Sequence, residues 1–171
     1  MKKTVLLLVL ALTGIIAVNA QEKVRFGATA GFVNATASAK FEGIEVSESQ
    51  AGFYFGFVAD AMIAEKFNIQ TEVLYNRIDE SDFLQLPIMG KYYVAEKFSL
   101  QAGFQLAFDL GEKVQDVSNF SFGIGPGLGV DITEDFFVEG RYMFQLNNSY
   151  TGPEDLTAGI DFLNIGIGYK F

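Results

Sequence analysis

The last ten residues, 162–171, alternate between two kinds of side chain. Polar or small residues mostly occupy every second position, and the positions between them are apolar or aromatic. This second set consists of Leu163, Ile165, Ile167, Tyr169 and Phe171. Because successive side chains of a β-strand point to opposite faces, the period of two predicts a strand with one polar and one apolar face. Such a strand must lie between two different environments, which restricts the fold more than any other feature of the chain.

Seven further segments alternate in a similar way, which gives eight predicted strands. They are Val24–Asn34, Ala51–Ala61, Phe67–Asn76, Phe83–Val94, Phe98–Phe108, Asn119–Ile132, Phe136–Leu146 and Phe162–Phe171. Each strand has roughly 10 to 14 residues, close to the ~9–11 residues that a tilted strand needs to cross a bilayer.

The connections between these strands alternate in length. Short turns are predicted at 64–66, 95–97 and 133–135, and longer loops at 35–50, 77–82, 109–118 and 147–161. Short turns at one end and long loops at the other are typical of membrane-spanning barrels. The pattern therefore predicts an all-β fold, an eight-stranded antiparallel up-and-down transmembrane β-barrel with short periplasmic turns and longer extracellular loops.

The start of the chain has the features of an export signal. Two lysines precede an apolar run, residues 5–18, and small residues follow it. This arrangement predicts a signal peptide over residues 1–20. A transmembrane anchor is the alternative, but the run is shorter than the ~20 residues that a spanning helix needs. We expect residues 21–171 to form a single domain, whose net charge becomes −11 rather than −9 once the two lysines are removed.

The most distinctive internal motif is Phe83–Val94, which reads FLQLPIMGKYYV. It resembles a strand, L-x-[IL]-P-hydrophobic-K-Y, of the small bacterial outer-membrane β-barrel domain family that includes PorT-like proteins. Pro87 stands at the proline position, and Lys91 and Tyr92 stand at the lysine-tyrosine position. The predicted architecture is also similar to the barrel of OmpA and to OmpX. The resemblance implies location in the outer membrane, and it implies an assembly signal in the last strand, formed by Leu163, Ile165, Ile167, Tyr169 and Phe171.

Alternation alone does not decide which face lies inside the barrel. A soluble barrel places its apolar face inward, whereas a membrane barrel places it outward toward lipid. Strand length, the alternating connections and the resemblance of the last strand favour the membrane barrel. A glycine-rich face then lines the lumen and leaves room for bulky inward residues. These glycines are Gly27, Gly31, Gly123, Gly125, Gly127, Gly129, Gly166 and Gly168.

Eight charged residues are predicted to point into the lumen, four of each sign. They are Arg25, Lys91, Arg141 and Lys170, with Asp60, Glu72, Asp131 and Glu139. Charges removed from bulk water are costly unless they are paired. We therefore expect a network of salt bridges and hydrogen bonds that fills the lumen. The alternative interpretation is a narrow ion path or gate.

Composition argues against several functions. The chain has no Cys and no His, so it lacks thiolate chemistry and the most common general base. We expect no enzymatic activity, no cofactor and no metal site, and the negative charge argues against nucleic-acid binding. The predicted loops are acidic, which favours either solubility at the cell surface or diffuse binding of divalent cations that bridge to lipopolysaccharide.

The function expected from the sequence is a structural or interaction role, carried by a barrel with a filled lumen and acidic surface loops. The alternatives are a narrow porin-like channel for ions or small solutes and an accessory barrel of a secretion or envelope machine. The expected partners are outer-membrane lipid or lipopolysaccharide and, during biogenesis, the barrel assembly machinery. We expect a monomer that does not bind nucleic acid.

Overall fold

Eight antiparallel strands form the described part of the chain, which the computed structural model covers at residues 24–112, 114–153 and 155–171. The strands are β1 (Val24–Phe41), β2 (Ile44–Ala64), β3 (Phe67–Ile78), β4 (Ser81–Tyr93), β5 (Phe98–Asp109), β6 (Phe120–Asp131), β7 (Phe136–Gln145) and β8 (Leu156–Lys170). Each strand pairs with its neighbours in sequence, and β8 pairs with β1, so the sheet closes into a barrel. The predicted fold class is confirmed. The predicted signal peptide, residues 1–20, lies outside the described residues.

The two faces of the strands have opposite chemistry, as the alternation predicts. Large apolar side chains cover the outside, where Phe32, Phe57 and Ile167 are 78%, 72% and 60% exposed. The inside holds polar and charged side chains, and Gln70 and Arg141 are 0% and 2% exposed. Each strand keeps its register because a slip by one residue would move the charged set to the apolar outer face.

The first hairpin corrects the sequence-based assignment of residues 35–50, which were predicted to form a loop. β1 instead continues to Phe41 and β2 begins at Ile44, so only Glu42 and Gly43 form the turn. Both turn residues have positive φ, 48° and 84°. A two-residue turn of this kind matches the right-handed twist of the flanking strands. The acidic residues of this segment therefore lie on a paired hairpin.

Two other predicted loops are also shorter than expected. Residues 77–82 contain a two-residue turn, Asp79-Glu80, and Asp79 adopts a positive φ of 50°. The segment 147–161 loses its last residues to β8, which begins at Leu156. Loop composition is a weaker signal than strand pairing, because polar residues are tolerated in a strand that both faces expose to water.

The strands β1, β2 and β8 extend beyond the others at the end opposite to Val24 and Phe171. Residues 35–41 of β1 pair with residues 44–50 of β2 on one side and with residues 156–162 of β8 on the other. β3 does not accompany this extension, because its pairing with β2 starts at Gly52. We call residues 36–41, 44–51 and 156–161 the projecting sheet.

Two prolines interrupt the hydrogen-bonded ladders of the barrel wall. The ladder between β3 and β4 has a gap at Pro87, and the ladder between β6 and β7 has a gap at Pro126. Proline has no N–H and cannot donate a ladder hydrogen bond. Both gaps keep the same register on their two sides, so the strands remain aligned without a bulge.

Candidate functional site

Arg141 lies at the centre of the most buried charge cluster of the lumen. Its guanidinium donates hydrogen bonds to both carboxylate oxygens of Glu72, across the lumen on β3, one of them at 3.0 Å from Nη1 to Oε1. Nη1 also lies 3.4 Å from Oε1 of Glu139, two residues away on β7. The three side chains are at most 2% exposed. A planar guanidinium suits this role because it can donate to two carboxylates at once.

Gln70 connects this cluster to a lysine. Its Nε2 donates to Oε2 of Glu139 at 2.9 Å, and it also donates to Glu72. Its Oε1 accepts a hydrogen bond of 2.8 Å from Nζ of Lys91. Sequence reasoning did not single out Gln70, although its inward register and amide chemistry identify it as a lumen residue. The glutamine uses its donor and its acceptor between groups of opposite charge.

A second cluster lies nearer the end of the barrel that holds Val24 and Phe171. Nζ of Lys170 donates to Oδ2 of Asp60 at 2.6 Å and lies 3.8 Å from Oδ1 of Asp131. Nδ2 of Asn68 donates to the other Asp60 oxygen at 2.8 Å, and the Tyr93 hydroxyl donates to Asp131 at 2.8 Å. Asp60 thus has partners on both oxygens, which offsets the cost of burying its charge.

Phe137 lies close to two ammonium groups of the lumen. Nζ of Lys91 lies 5.4 Å and Nζ of Lys170 lies 5.1 Å from the centre of its ring. The ring packs over Gly168, where an added Cβ would come within 2.1 Å of Cζ. Aromatic faces attract cations, so the ring stabilises both lysines. The predicted pairing of inward glycines with bulky side chains is visible at this contact.

Arg25 stands apart from the other predicted lumen charges. Its Nη2 donates to Oδ1 of Asp135 at 2.6 Å and to the carbonyl oxygen of Lys170 at 3.1 Å. The Arg25 and Asp135 side chains are 40% and 47% exposed. The ion pair therefore lies at the rim of the barrel, and Asp135 is a partner that sequence reasoning placed in a turn. The structure divides the eight predicted residues between this rim, the Asp60 cluster and the Arg141 cluster.

An apolar layer closes the other half of the lumen. The rings of Phe83 and Phe162 meet edge to face, with centroids 5.6 Å apart. The same layer contains Val33, Ala35, Tyr54, Leu74, Ile78, Phe83, Ala107 and Phe162. Sequence reasoning did not predict this layer. The available signal was the inward register of several large apolar residues within a face that is otherwise polar.

A cavity lies on the short-turn side of the two charge clusters. The cavity, of about 460 Å³, opens at the end of the short turns, and Arg25, Tyr93, Asp131 and Lys170 are among its lining residues. In the described residues, no group of three or more acidic, Cys or His side chains is arranged to hold a metal ion. Across the same ranges, the chain contains no helix of the length and apolarity required to span a membrane.

Comparison with known proteins finds a family match over part of the chain and a fold shared with solved barrels. A family model described as "Outer membrane protein beta-barrel domain" matches residues 80–151. The attachment invasion locus protein Ail of Yersinia pestis is a solved structure with 15% identity and a TM-score of 0.52, and the match covers 87% of this chain and 99% of Ail. The chain has the fold of a small outer-membrane β-barrel.

Two solved structures from Pseudomonas aeruginosa are also similar to this barrel. OprG is 19% identical, with a TM-score of 0.43 and coverage of 87% of this chain and 96% of OprG. The N-terminal β-barrel domain of OprF is 13% identical, with a TM-score of 0.48 and coverage of 85% and 99%. No curated protein matches the sequence. At 15% identity, the match to Ail informs on the fold alone.

Location in the outer membrane explains the outer surface of this barrel. Aromatic pairs lie at both edges of the apolar belt: Phe108 and Phe120 at the extracellular end, and Phe136 and Tyr169 at the periplasmic end. Such girdles are typical of membrane barrels at the two water interfaces. The five predicted assembly-signal residues of the last strand point outward with exposures between 36% and 72%. Their role in assembly stays a prediction.

Polarity reverses where the barrel leaves the membrane. On the projecting sheet, the outward side carries polar residues such as Ser38, Lys40 and Glu45, and the side continuous with the lumen carries Phe41 and Val46. Outward positions of the barrel proper are apolar because they contact lipid, whereas those of the projecting sheet are in water. The reversal locates the extracellular boundary of the membrane near residues 34–36 of β1.

Removal of one buried carboxylate tests the Arg141 cluster. We expect Glu139→Ala to lower the free energy of unfolding by about 1–3 kcal/mol, because Gln70 and Arg141 lose a buried acceptor. Urea unfolding in lipid vesicles, followed by circular dichroism, measures the change. Glu112→Ala, in an exposed loop, is the control and should leave the unfolding midpoint unchanged. Equal shifts for the two variants would contradict the expected role of the cluster.

Proposed function

We propose that this outer-membrane barrel is closed to solutes and acts through its extracellular surface, in a structural or interaction role. The observation that carries the proposal is the complete burial of two successive layers of the lumen. In the apolar layer, Tyr54, Leu74 and Phe162 are 1%, 0% and 2% exposed. In the charged layer beneath, Gln70 and Arg141 are 0% and 2% exposed. Burial to this degree in both layers supports a closed barrel.

Chemical features of the lumen support the same proposal. Both ion clusters are held by hydrogen bonds from several strands, and the apolar layer gives no favourable surface to an ion. Small barrels of eight strands have just enough interior volume for their own side chains. The chain has no His and no Cys, and we assign it no catalytic role.

A narrow ion channel is the second candidate, and one observation favours it. Buried polar atoms of Gln85, Gln101, Gln105, Arg141 and Asn164 have no hydrogen-bond partner among the described residues. Buried polar groups normally find a partner in protein or in ordered water. A file of water molecules along these atoms could carry ions if the apolar layer opened.

Planar-bilayer conductance of the refolded protein distinguishes the two candidates. We expect no unitary current steps from the wild-type barrel, once a heat-modifiable band on a gel has shown that it is folded. Phe162→Ala, which opens the apolar layer, is the matched variant, and Phe32→Ala on the lipid face is its control. Reproducible wild-type steps that change in Arg141→Ala would overturn the closed barrel and make the channel the leading function.

The expected partners follow from the surface of the barrel. We propose contact with outer-membrane lipid or lipopolysaccharide around the apolar belt and recognition of the last strand by the barrel assembly machinery. A monomer suits this arrangement, because the closed sheet leaves no unpaired strand edge within the membrane. The acidic extracellular surface, which includes the first hairpin, is the part available to other molecules.

A further inference from the structure

One edge of the projecting sheet is open. Residues 44–51 of β2 pair with β1, but the pairing of β2 with β3 begins only at Gly52 and Ile78. These eight residues are all exposed. At a rise of about 3.3 Å per residue, the open edge is roughly 26 Å long.

Backbone groups are available along this edge. Residues that flank a two-residue hairpin turn form a hydrogen-bonded pair, which assigns the N–H and C=O groups of Ile44 and of every second residue after it to β1. The backbone groups of the residues between them, Glu45, Ser47 and Ser49, then point away from β1. Among the described residues, no backbone hydrogen bond is found for them on that side.

The opposite edge of the same sheet is covered. The backbone N–H of Ser149 donates to the carbonyl oxygen of Ala158 at 2.8 Å, and the N–H of Ala158 donates to Oδ1 of Asn148 at 2.8 Å. Further along β8, the N–H of Ile160 donates to Oε1 of Gln145 at 2.8 Å. Residues at the end of β7 and in the segment between β7 and β8 thus provide hydrogen-bond partners for the backbone groups along the edge of β8. The backbone groups along the edge of β2 are left to water or to a partner.

Side chains beside the open edge define the chemistry of a strand that could pair there. Ile44 and Val46, on the side continuous with the lumen, are 71% and 66% exposed and favour apolar neighbours. Glu42, Glu45 and Glu48 outnumber the single basic residue of the hairpin, Lys40. Acidic residues on an edge oppose pairing with acidic strands and with a second copy, which would bring the same charges.

We propose that residues 44–51 form a docking edge for an extended basic segment of a partner protein, which adds to the projecting sheet as a further strand. Apolar side chains of the segment pack beside Ile44 and Val46 on the side continuous with the lumen, and its lysine or arginine side chains lie beside Glu45 on the outward side. Glu48, on the same side as Val46, adds to the negative charge that favours a basic segment. Main-chain hydrogen bonds supply the binding, and alternate side chains supply the specificity. The inference rests on the proposed role of the extracellular surface and names its partner class.

Peptide titration against the full barrel in zwitterionic lipid nanodiscs tests the docking edge. The probe is a labelled seven-residue peptide that alternates lysine and valine, and its counterpart carries glutamate in place of lysine. We expect the basic peptide to bind and the acidic one to bind at least about tenfold more weakly, since opposite charges meet only in the first case. Empty nanodiscs correct for adsorption to lipid.

Two substitutions at one position separate strand addition from surface adhesion. Ser47→Pro removes an N–H from the open edge without removing a hydrogen bond to β1, and we expect at least about a tenfold loss of affinity. Ser47→Ala keeps the N–H and should bind within about twofold of wild type. Hydrogen exchange at residues 45, 47 and 49 should slow when the peptide binds. The gel shift on heating verifies that each variant folds.

Charge-neutralising variants test the partner chemistry. Glu45→Gln combined with Glu48→Gln should weaken binding of the basic peptide, whereas Glu65→Gln combined with Glu96→Gln, at the periplasmic turns, should not. Full binding by Ser47→Pro would overturn strand addition. Failure of the basic peptide to bind would overturn the proposal of a basic partner. A wild-type dimer in light scattering that Ser47→Pro dissociates would also overturn it, because the edge would then pair with a second copy of the chain. Each of these results leaves the closed barrel to be judged by its conductance.

Discussion

Arg141→Ala is expected to lower the free energy of unfolding by about 3–5 kcal/mol, because it leaves two buried carboxylates without their shared cation. Glu72 and Glu139 are both at most 2% exposed and both contact the guanidinium. Gln70 can donate to them but carries no charge. The folded barrel must then either keep uncompensated charge in the lumen or take up protons there.

Urea unfolding of Arg141→Ala in lipid vesicles measures this loss. Arg25→Ala is the control for removal of an arginine, because its ion pair with Asp135 is about half exposed and such pairs contribute only about 0–1 kcal/mol. Adding Glu72→Gln and Glu139→Gln to the Arg141→Ala background should recover part of the stability, since it removes the stranded charges. Similar losses for Arg141→Ala and Arg25→Ala would show that the central cluster is not a stabilising feature.

Gly125→Ala is expected to prevent folding or to lower stability by at least about 1–3 kcal/mol, through steric overlap within the barrel wall. A Cβ at this position would lie 1.8 Å from the carbonyl oxygen of Tyr142 on β7 and 3.0 Å from Cα of Met143. Both atoms belong to the backbone, so a side-chain rotation cannot relieve the overlap. The site adjoins Pro126, where the ladder between β6 and β7 is interrupted. The short distances around Gly125 show that the two backbones approach closely there.

Gly140→Ala is the matched control for Gly125→Ala. The nearest atom to a Cβ at position 140 is Cγ1 of Ile165, at 3.7 Å, which is an ordinary contact. Alanine in a strand is otherwise at least as favourable as glycine, because it loses less backbone entropy on folding. The folded fraction on a heat-modifiability gel and the urea midpoint should fall for Gly125→Ala alone. Equal behaviour of the two variants would show that strand spacing adjusts freely.

The two expected losses have different causes in the same wall. Arg141 depends on electrostatic pairing across the lumen, whereas Gly125 depends on the distance between adjacent strands. The losses of stability from Gly125→Ala and Arg141→Ala should therefore add in the double variant only if the backbone shift caused by alanine at 125 does not reach Arg141. Gly127 pairs with Arg141 two residues farther along β6, so a measurable coupling energy is expected.

The sequence alone determined the strands, the two faces and the number of strands in this barrel. Side-chain alternation is a local property of a strand, so segments such as Phe98–Phe108 and Phe162–Phe171 reveal their faces without knowledge of their neighbours. Because one face contacts lipid and the other faces a polar lumen, the two faces of each strand differ clearly in side-chain polarity. The first hairpin lacked this signal because residues 36–50 meet water on both faces, and its acidic composition suggested a loop.

Tertiary structure alone decided which inward residues meet. Glu72 and Arg141 are 69 positions apart and come from facing walls of the lumen, and Gln70 joins them to Lys91 only because the lumen is narrow. Arg25 shares their inward register, yet its height along the barrel places it beside Asp135 at the rim. Strand tilt and closure set these heights, and a period of two contains no information about them. The same closure brings Phe83 and Phe162 together as an apolar layer that no single strand indicated.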